Sequence, residues 1–432
     1  KPIRRLWISS VTDKAIADGF RQLKDGRQYD HLHASAEARA QADWYVGINA
    51  TRALTCKFNA QLSCGRVQTP TLAIIAKREQ EIRSFQPRAY YGLTASANGL
   101  KLTWQHKHTK SMRSFDRQEI EALQRRLAGK DAKITSIEKK HRKKYAPALY
   151  DLTELQRDAN RLYGYSAKET LSAMQSLYEQ HKALTYPRTD SRYLSSDIVE
   201  TLPERLRAVS FPPYRTMAAR ILGSGIRAHQ GFVDDSKVSD HHAIIPTEQS
   251  PLYHKLSDRE RKIYDLVVKR FLAVLLPPFE YDETRITATI DGENFTAKGK
   301  IVTAPGWTEV YGQLDDDEDG EEDLKEQALP PLGVGDVLRS PELAMTRGET
   351  RPPKRFTEAT LLSAMENPAP YMSGESSALI RTLHRSGGLG TVATRADIIE
   401  KLFDNFLLEK RGKEIHLTSK GRQLLELVPA DL

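Results

Sequence analysis

Cysteine is almost missing. The 432 residues hold two, Cys56 and Cys64, and no C-x-x-C pair. That excludes a zinc ribbon and argues against a disulfide framework, so the expected setting is a reducing, cytoplasmic compartment. No signal peptide opens the chain. Long apolar runs are lacking too. The best of them, residues 266–279 ("LVVKRFLAVLLPPF"), is too short for a bilayer and carries Lys269 and Arg270, which excludes a membrane span there. No G-x-x-x-x-G-K loop occurs, which leaves out P-loop chemistry. No internal repeat is present. The first residue is Lys1 rather than Met, and a piece of a longer protein is expected.

What is present is positive charge. The formal net charge is +8, yet residues 315–326 ("DDDEDGEEDLKE") hold nine acids and one lysine, so the rest of the chain carries +16. An excess of that size suits a protein that neutralises a phosphate backbone, although a basic protein without a polyanionic partner has the same composition. The acidic run reads as a solvated loop rather than a metal site, because consecutive acids point in different directions. At about 100–200 residues per domain, the length predicts two to four domains.

The pattern along the chain alternates between helix and strand, an α+β multidomain layout. A helix is expected over 35–54, where Ala36, Ala40, Trp44 and Ile48 recur as one apolar stripe. Arg39 and Asp43, four apart, share a face beside it. A second helix is expected over 69–82, with Pro70 in its first turn. Strand texture begins after Pro87, reappears at 133–145, and returns at 281–311 with an Asp-Gly hairpin signal at 291–292. A strand-rich domain interrupted by a helical insertion, roughly 146–278, explains this order. Inside the insertion, "TELQ" (153–156) and "SAKE" (166–169) fit capping boxes, with Gly164 ending the first helix. The last eighty residues read as helix from Thr357, helix over 394–405, hairpin over 407–418 and a closing helix, the order of a winged helix-turn-helix.

Three segments carry candidate chemistry. In "LTYPRTDSRYL" (184–194), Pro187 restricts Tyr186 to extended backbone, which projects the ring just beyond a helix end. A nearby cation favours phenolate, and Arg188 can hold a phosphate through two parallel hydrogen bonds. Thr189, Asp190, Ser191 and Arg192 follow, with hydroxyl donors of the kind that position a DNA backbone. The chemistry that fits is attack of Tyr186 on a phosphodiester. A half-buried tyrosine beside a proline turn is the plain structural alternative. In "SDHHAIIPT" (239–247), adjacent His241 and His242 face opposite ways in extended backbone, so one imidazole can reach a phosphate or leaving oxygen while two do not chelate one metal. In "LSCGRVQTPTL" (62–72), Gly65 permits close backbone approach, and Arg66 and Gln68 lie on one side if extended.

Together with "EARAQADWYVGINATRAL", "FTEATLLSAME" and "GLGTVATRADIIEKLF", these segments resemble the motifs of the type IA DNA topoisomerases, the topoisomerase III branch above all, in family order over nearly the whole chain. The resemblance implies that Tyr186 forms a 5′-phosphotyrosyl link with single-stranded DNA, that Arg188 stabilises the scissile phosphate, and that His241 stands near it with His242 accompanying. It implies DNA contacts from Arg39, Asp43, Arg66 and Gln68. It implies a toroidal core. Residues 1–86 with 351–432 would be winged-helix-like, 87–145 with 279–350 a strand-rich arch, and 146–278 the tyrosine domain. The mechanism it implies is cleavage of one strand, passage of another strand or duplex, and resealing without ATP, by a monomer in a bacterial nucleoid. Magnesium is expected for the longer protein, through a Toprim domain that residues 1–34 do not supply; that domain and a helicase are the expected protein partners. The alternative is a single-strand-binding module without cleavage. A tyrosine recombinase or phosphatase lacks its supporting residues, since neither an ordered Arg-His-Arg set nor a Cys-x5-Arg loop occurs.

Overall fold

The computed structural model describes residues 2–6, 13–312, 324–372 and 377–429. Most of the acidic run, residues 315–323, lies outside the described residues. The chain divides into two compact units. One is assembled from three separated segments, Lys1–Ser84, Pro147–Leu275 and Pro353–Leu432, and two segments, Phe85–Ala146 with Leu276–Pro352, make the other.

The second unit is built on a seven-stranded antiparallel sheet. Its strand order is Val337–Leu338, Ala132–Lys144, Phe279–Ile290, Glu293–Ala304, Leu100–Gln105, Ala89–Ala97 and Glu342–Glu349. Alternation along each strand places Leu93, Ala95, Leu102, Trp104, Ile286 and Phe295 on one face, where they bury Ile120, Leu123 and Leu127 of the helix Arg117–Leu127. That helix interrupts the expected strand texture. Asp116 starts it, accepting from the amides of Gln118 and Glu119. The Asp291–Gly292 turn pairs Ile290 with Glu293 and has φ of 47° and 77°. Two positive values are what a two-residue hairpin of this hand demands.

The first unit is mainly helical. Leu152–Tyr163, Ala167–Glu179 and Asp258–Val274 bury Leu155, Met174, Leu177 and Phe271, and Glu358–Glu366 packs on the first of them. Ser166, Ser257 and Thr357 each close a capping box, and Gly164 ends its helix at φ 72°. The "TELQ" expectation is corrected. Asp151, not Thr153, is the cap, its carboxylate accepting from the Glu154 amide at 2.7 Å. Arg395–Asp404, the hairpin Leu408–Arg411 with Glu414–Leu417, and Ser419–Leu427 follow in the expected order. Cys56 and Cys64 are both free. Among the described residues no helix is long and apolar enough to cross a membrane.

One buried ion pair fixes the frame. Arg270 donates to the Asp158 carboxylate (2.8 Å), to the Tyr150 hydroxyl (3.1 Å) and to the Ala148 carbonyl (2.9 Å), while Tyr150 donates to Asp158 at 2.6 Å. Removing one partner leaves a buried charge uncompensated. Arg270→Ala is expected to lower stability by about 3–5 kcal/mol in urea unfolding. A loss below about 1 kcal/mol would show that water replaces the arginine.

Candidate active site

Tyr186 is held by anchors on either side of it. After the Ala167–Glu179 helix the chain turns at Lys182, φ 51°, and buries Ala183 and Leu184. The Thr185 amide donates to the Ile245 carbonyl (3.0 Å), and the Thr185 hydroxyl donates to the Ala243 carbonyl and accepts from the Ile245 amide. Beyond Tyr186, the Thr189 hydroxyl donates to the His241 carbonyl at 2.9 Å, and its own carbonyl accepts from the Leu152 amide. The tyrosine and histidine segments are thereby laced together, although 55 positions separate Tyr186 from His241.

The result is a small aromatic site. The Tyr186 ring lies against the His241 imidazole, centroids 4.2 Å apart and planes tilted by 31°. Tyr178 meets it edge-on at 5.4 Å and 87°. The Tyr186 side chain is half-buried, and its hydroxyl has no hydrogen-bond partner among the described residues; nor is it one of the buried unpaired polar atoms, so it is open to solvent. Arg188 is half-buried, and its Nε is fully buried without a partner. An unpaired buried donor is costly, and charged donors more so. An anion beside Arg188 would satisfy it.

Burial pushes the His241 imidazole below its ordinary value, with the carboxylates of Asp240 and Asp190 partly opposing. It is therefore uncharged at neutral pH. His242 faces inward, is buried, and donates from Nδ1 to the Ala243 carbonyl at 2.7 Å; burial pushes its pKa down to about 4. The unfolded ring titrates near 6.5, so between about 6.5 and 4 the folded chain binds fewer protons than the unfolded one. Stability is full above that window and falls as pH drops through it, by about 3 kcal/mol. Urea unfolding at pH 7 and pH 4.5 measures this, and His242→Gln is expected to flatten the difference. An equally steep fall in the variant would assign it to other groups.

Several residues expected as strand contacts are placed otherwise. Thr189 and Ser191 are buried, and the Ser191 hydroxyl donates to the Lys237 carbonyl at 2.8 Å. Their donors are spent inside the loop. Arg192 pairs with Asp151 at 2.7 Å and Glu154 at 3.5 Å, so it braces the cap of the Leu152–Tyr163 helix. His242 is sealed in. Asp190 stays exposed. The contact of Tyr178, in the Ala167–Glu179 helix, with Tyr186 depends on a turn that no periodicity encodes.

A second cluster lies on the helix Asp30–Phe58. Leu54 is its one buried residue. The expected apolar stripe is not covered, since Trp44 is 59% exposed and Ile48 39%. Asp43 pairs not with Arg39 but with Arg66, Nε to Oδ1 at 2.9 Å, both side chains exposed. Arg39 is exposed and has no partner among the described residues. Arg66 sits in a turn rather than a strand, and Gln68 opens the Gln68–Ser84 helix, its amide donating weakly to the Ser63 carbonyl at 3.4 Å. A Cβ on Gly65 would meet nothing within 4 Å, so the space over this turn is open. Among the described residues no group of three or more His, Cys, Asp or Glu could hold a metal ion.

A half-buried tyrosine with an open hydroxyl, stacked on an uncharged histidine and two residues from an arginine with an unanswered donor, stands on a frame with known counterparts. Residues 27–432 match the family described as DNA topoisomerase, and the chain belongs to that family, in its type IA group. The fold is that of the solved full-length topoisomerase I of Thermotoga maritima, with a TM-score of 0.69 at 23% identity, over 98% of this chain and 64% of that one. In sequence the chain is similar to DNA topoisomerase 3 of Bacillus licheniformis, 62% identical over its whole length, and to DNA topoisomerase 3 of Bacillus subtilis, 60% identical. It spans 59% of the length of each of these relatives.

Proposed function

We propose that this chain is the strand-cleaving part of a topoisomerase III-like enzyme, with Tyr186 as nucleophile. The observation that carries the reading is the Arg188 Nε, buried and unpaired two residues from a phenol whose oxygen is free. The Tyr186 oxygen attacks a backbone phosphorus. The new P–O(Tyr) bond forms, the P–O3′ bond breaks, the phenol loses its proton and the released 3′ oxygen gains one. Resealing is the reverse, so the phosphotyrosine keeps the bond's energy and no ATP enters. Arg188 offers its fork to the non-bridging oxygens, where charge builds up. His241 supports the phenol ring by stacking and, being uncharged, can pass a proton to or from the phosphate side. Arg39, Asp43, Arg66 and Gln68 are proposed to guide the strand, while Thr189, Ser191, Arg192 and His242 hold the loop that presents Tyr186.

In the same reading the winged-helix-like part is 1–86 with 351–432, the arch is 87–145 with 279–350, and 146–278 is the tyrosine domain. The cleaved partner is single-stranded DNA, and a second strand or duplex passes through the break in the bacterial nucleoid. The magnesium expected for the longer protein finds no fitting site among the described residues, so no step here runs through it. A Toprim domain or a helicase remains the proposed protein partner.

The test uses one oligonucleotide labelled at either end, magnesium, and a separately supplied Toprim domain in a parallel arm. After denaturation, 3′-label is expected on the protein and 5′-label is not, because Tyr186 keeps the 5′-phosphate. Label from the 5′ end would reverse the assigned bond. Native-gel shifts without any denaturation-resistant band would leave only strand binding.

A further inference from the structure

Residues 386–391 ("SGGLGT") form a loop whose shape is held by one buried cation. Gly387, Gly388 and Gly390 have φ of 83°, 83° and 69°, left-handed backbone that glycine adopts without strain. At Gly388 a Cβ would also collide with the carbonyls of Met365 and Glu366. The loop is thus wound against the end of the helix Glu358–Glu366, and the Leu389 amide donates to the Met365 carbonyl at 2.7 Å. Its own carbonyls turn to Arg395. That guanidinium donates to the carbonyls of Gly387, Leu389 (3.1 Å) and Gly390 (3.4 Å), and to the Thr153 hydroxyl at 3.2 Å. Arg395 is 2% exposed. Its hydrogen bonds go to neutral acceptors, and the neighbouring Glu366 carboxylate is taken by Arg157. We propose that Arg395 is a positioning residue for cleavage, one that sets which phosphate of a bound strand meets Tyr186.

The loop lies between two parts of the candidate site. On one side is the turn proposed to guide the strand. A Cβ on Gly390 would sit 3.4 Å from Val67, the residue between Arg66 and Gln68. On the other side is Thr153, in the first turn of the helix Leu152–Tyr163. That turn carries the tyrosine loop: the Leu152 amide donates to the Thr189 carbonyl at 3.1 Å, and Asp151 takes Arg192 at 2.7 Å. A second strap runs beside the first. Arg192 reaches Glu154 at 3.5 Å, Glu154 holds Arg157 at 2.8 Å, and Arg157 holds Glu366. All of these residues belong to one compact unit.

A guanidinium is planar and rigid, so the acceptors around Arg395 share one fixed geometry. An apolar residue of that size would leave three inward carbonyls and a hydroxyl without donors. Arg395 therefore joins the turn that guides the strand to the loop that presents the phenol. A strand gripped at Arg66 and Gln68 is measured out to Tyr186 through this connection. A misplacement of about 1 Å, caused far from the reacting atoms, can cost about 10²-fold in rate. The inference rests on the reading of Tyr186 as nucleophile.

The test cleaves one end-labelled single strand with the chain, magnesium and a supplied Toprim domain, and reads the cut phosphates on a sequencing gel. Thr153→Val removes the acceptor and keeps the shape of the side chain, while Thr153→Ser keeps the acceptor. In Thr153→Val the rate at the main position is expected to fall about tenfold and the cuts to spread to adjacent phosphates, with strand affinity within about threefold. Thr153→Ser should restore both rate and position. Arg395→Lys should have a larger effect than Thr153→Val, because one ammonium cannot span the same acceptors. Melting temperatures are recorded, and every chain is assayed well below its own. A loss of folded protein alone lowers all cuts alike and leaves their positions unchanged; that result, or an equal loss in Thr153→Ser, overturns the proposal. A band from the unsubstituted chain that Thr153→Val matches in rate and position removes this inference alone. No band from any chain removes the Tyr186 reading and this inference with it.

Discussion

Tyr186→Phe is expected to abolish the covalent protein–DNA band, a loss of at least about 10³-fold, while strand affinity stays within about threefold. The substitution removes one oxygen. The phenyl ring keeps its place, because its stacking on His241 and its edge contact with Tyr178 involve no hydroxyl. The oxygen has no partner among the described residues, so no buried group is orphaned by its removal and the melting temperature should not fall. The denaturing gel, the binding titration and the melt are therefore separable. A persistent covalent band would move the chemistry to another residue. A collapse of affinity with the band would mean that the hydroxyl binds DNA without reacting.

Arg188→Ala has the second-largest expected effect. If the guanidinium holds the phosphate as charge develops, cleavage should fall by about 10²–10³-fold with strand affinity nearly unchanged. Stability should hold or rise slightly, because the side chain leaves a buried Nε unpaired in the free protein. Arg188→Lys should recover only part of the rate, since an ammonium cannot make two parallel bonds to one phosphate. Equal losses of rate and affinity would make Arg188 an ordinary backbone contact.

What the sequence made legible was local. Gly164, Ser166 and the Asp291–Gly292 turn act within a few residues of themselves, and each performs the expected task. The Asp151 cap was missed because Thr153 offers an equally good local pattern, and the choice is made by Arg192, which reaches Asp151 from 41 positions away. The helix Arg117–Leu127 was hidden inside strand texture, although Asp116 was its marker. The stripe of Ala36, Ala40, Trp44 and Ile48 shows why periodicity stops short. Spacing says which side chains share a face, not what covers it, and Trp44 and Ile48 are left open. The site follows the same rule. Tyr186 and Arg188 are readable as a segment. That His241 stacks on Tyr186, that His242 turns inward, and that Asp43 chooses Arg66 over Arg39 are decided by contacts between distant segments.

The most direct measurement is peptide mass spectrometry of the trapped adduct. The protein is incubated with single-stranded DNA, magnesium and a supplied Toprim domain, denatured, and digested with nuclease and protease. The account predicts a nucleotide-derived phosphate on the peptide that contains Tyr186, on the phenolic oxygen, and on no other tyrosine. The same mass added at Tyr178, Tyr193 or a serine of that loop would contradict it.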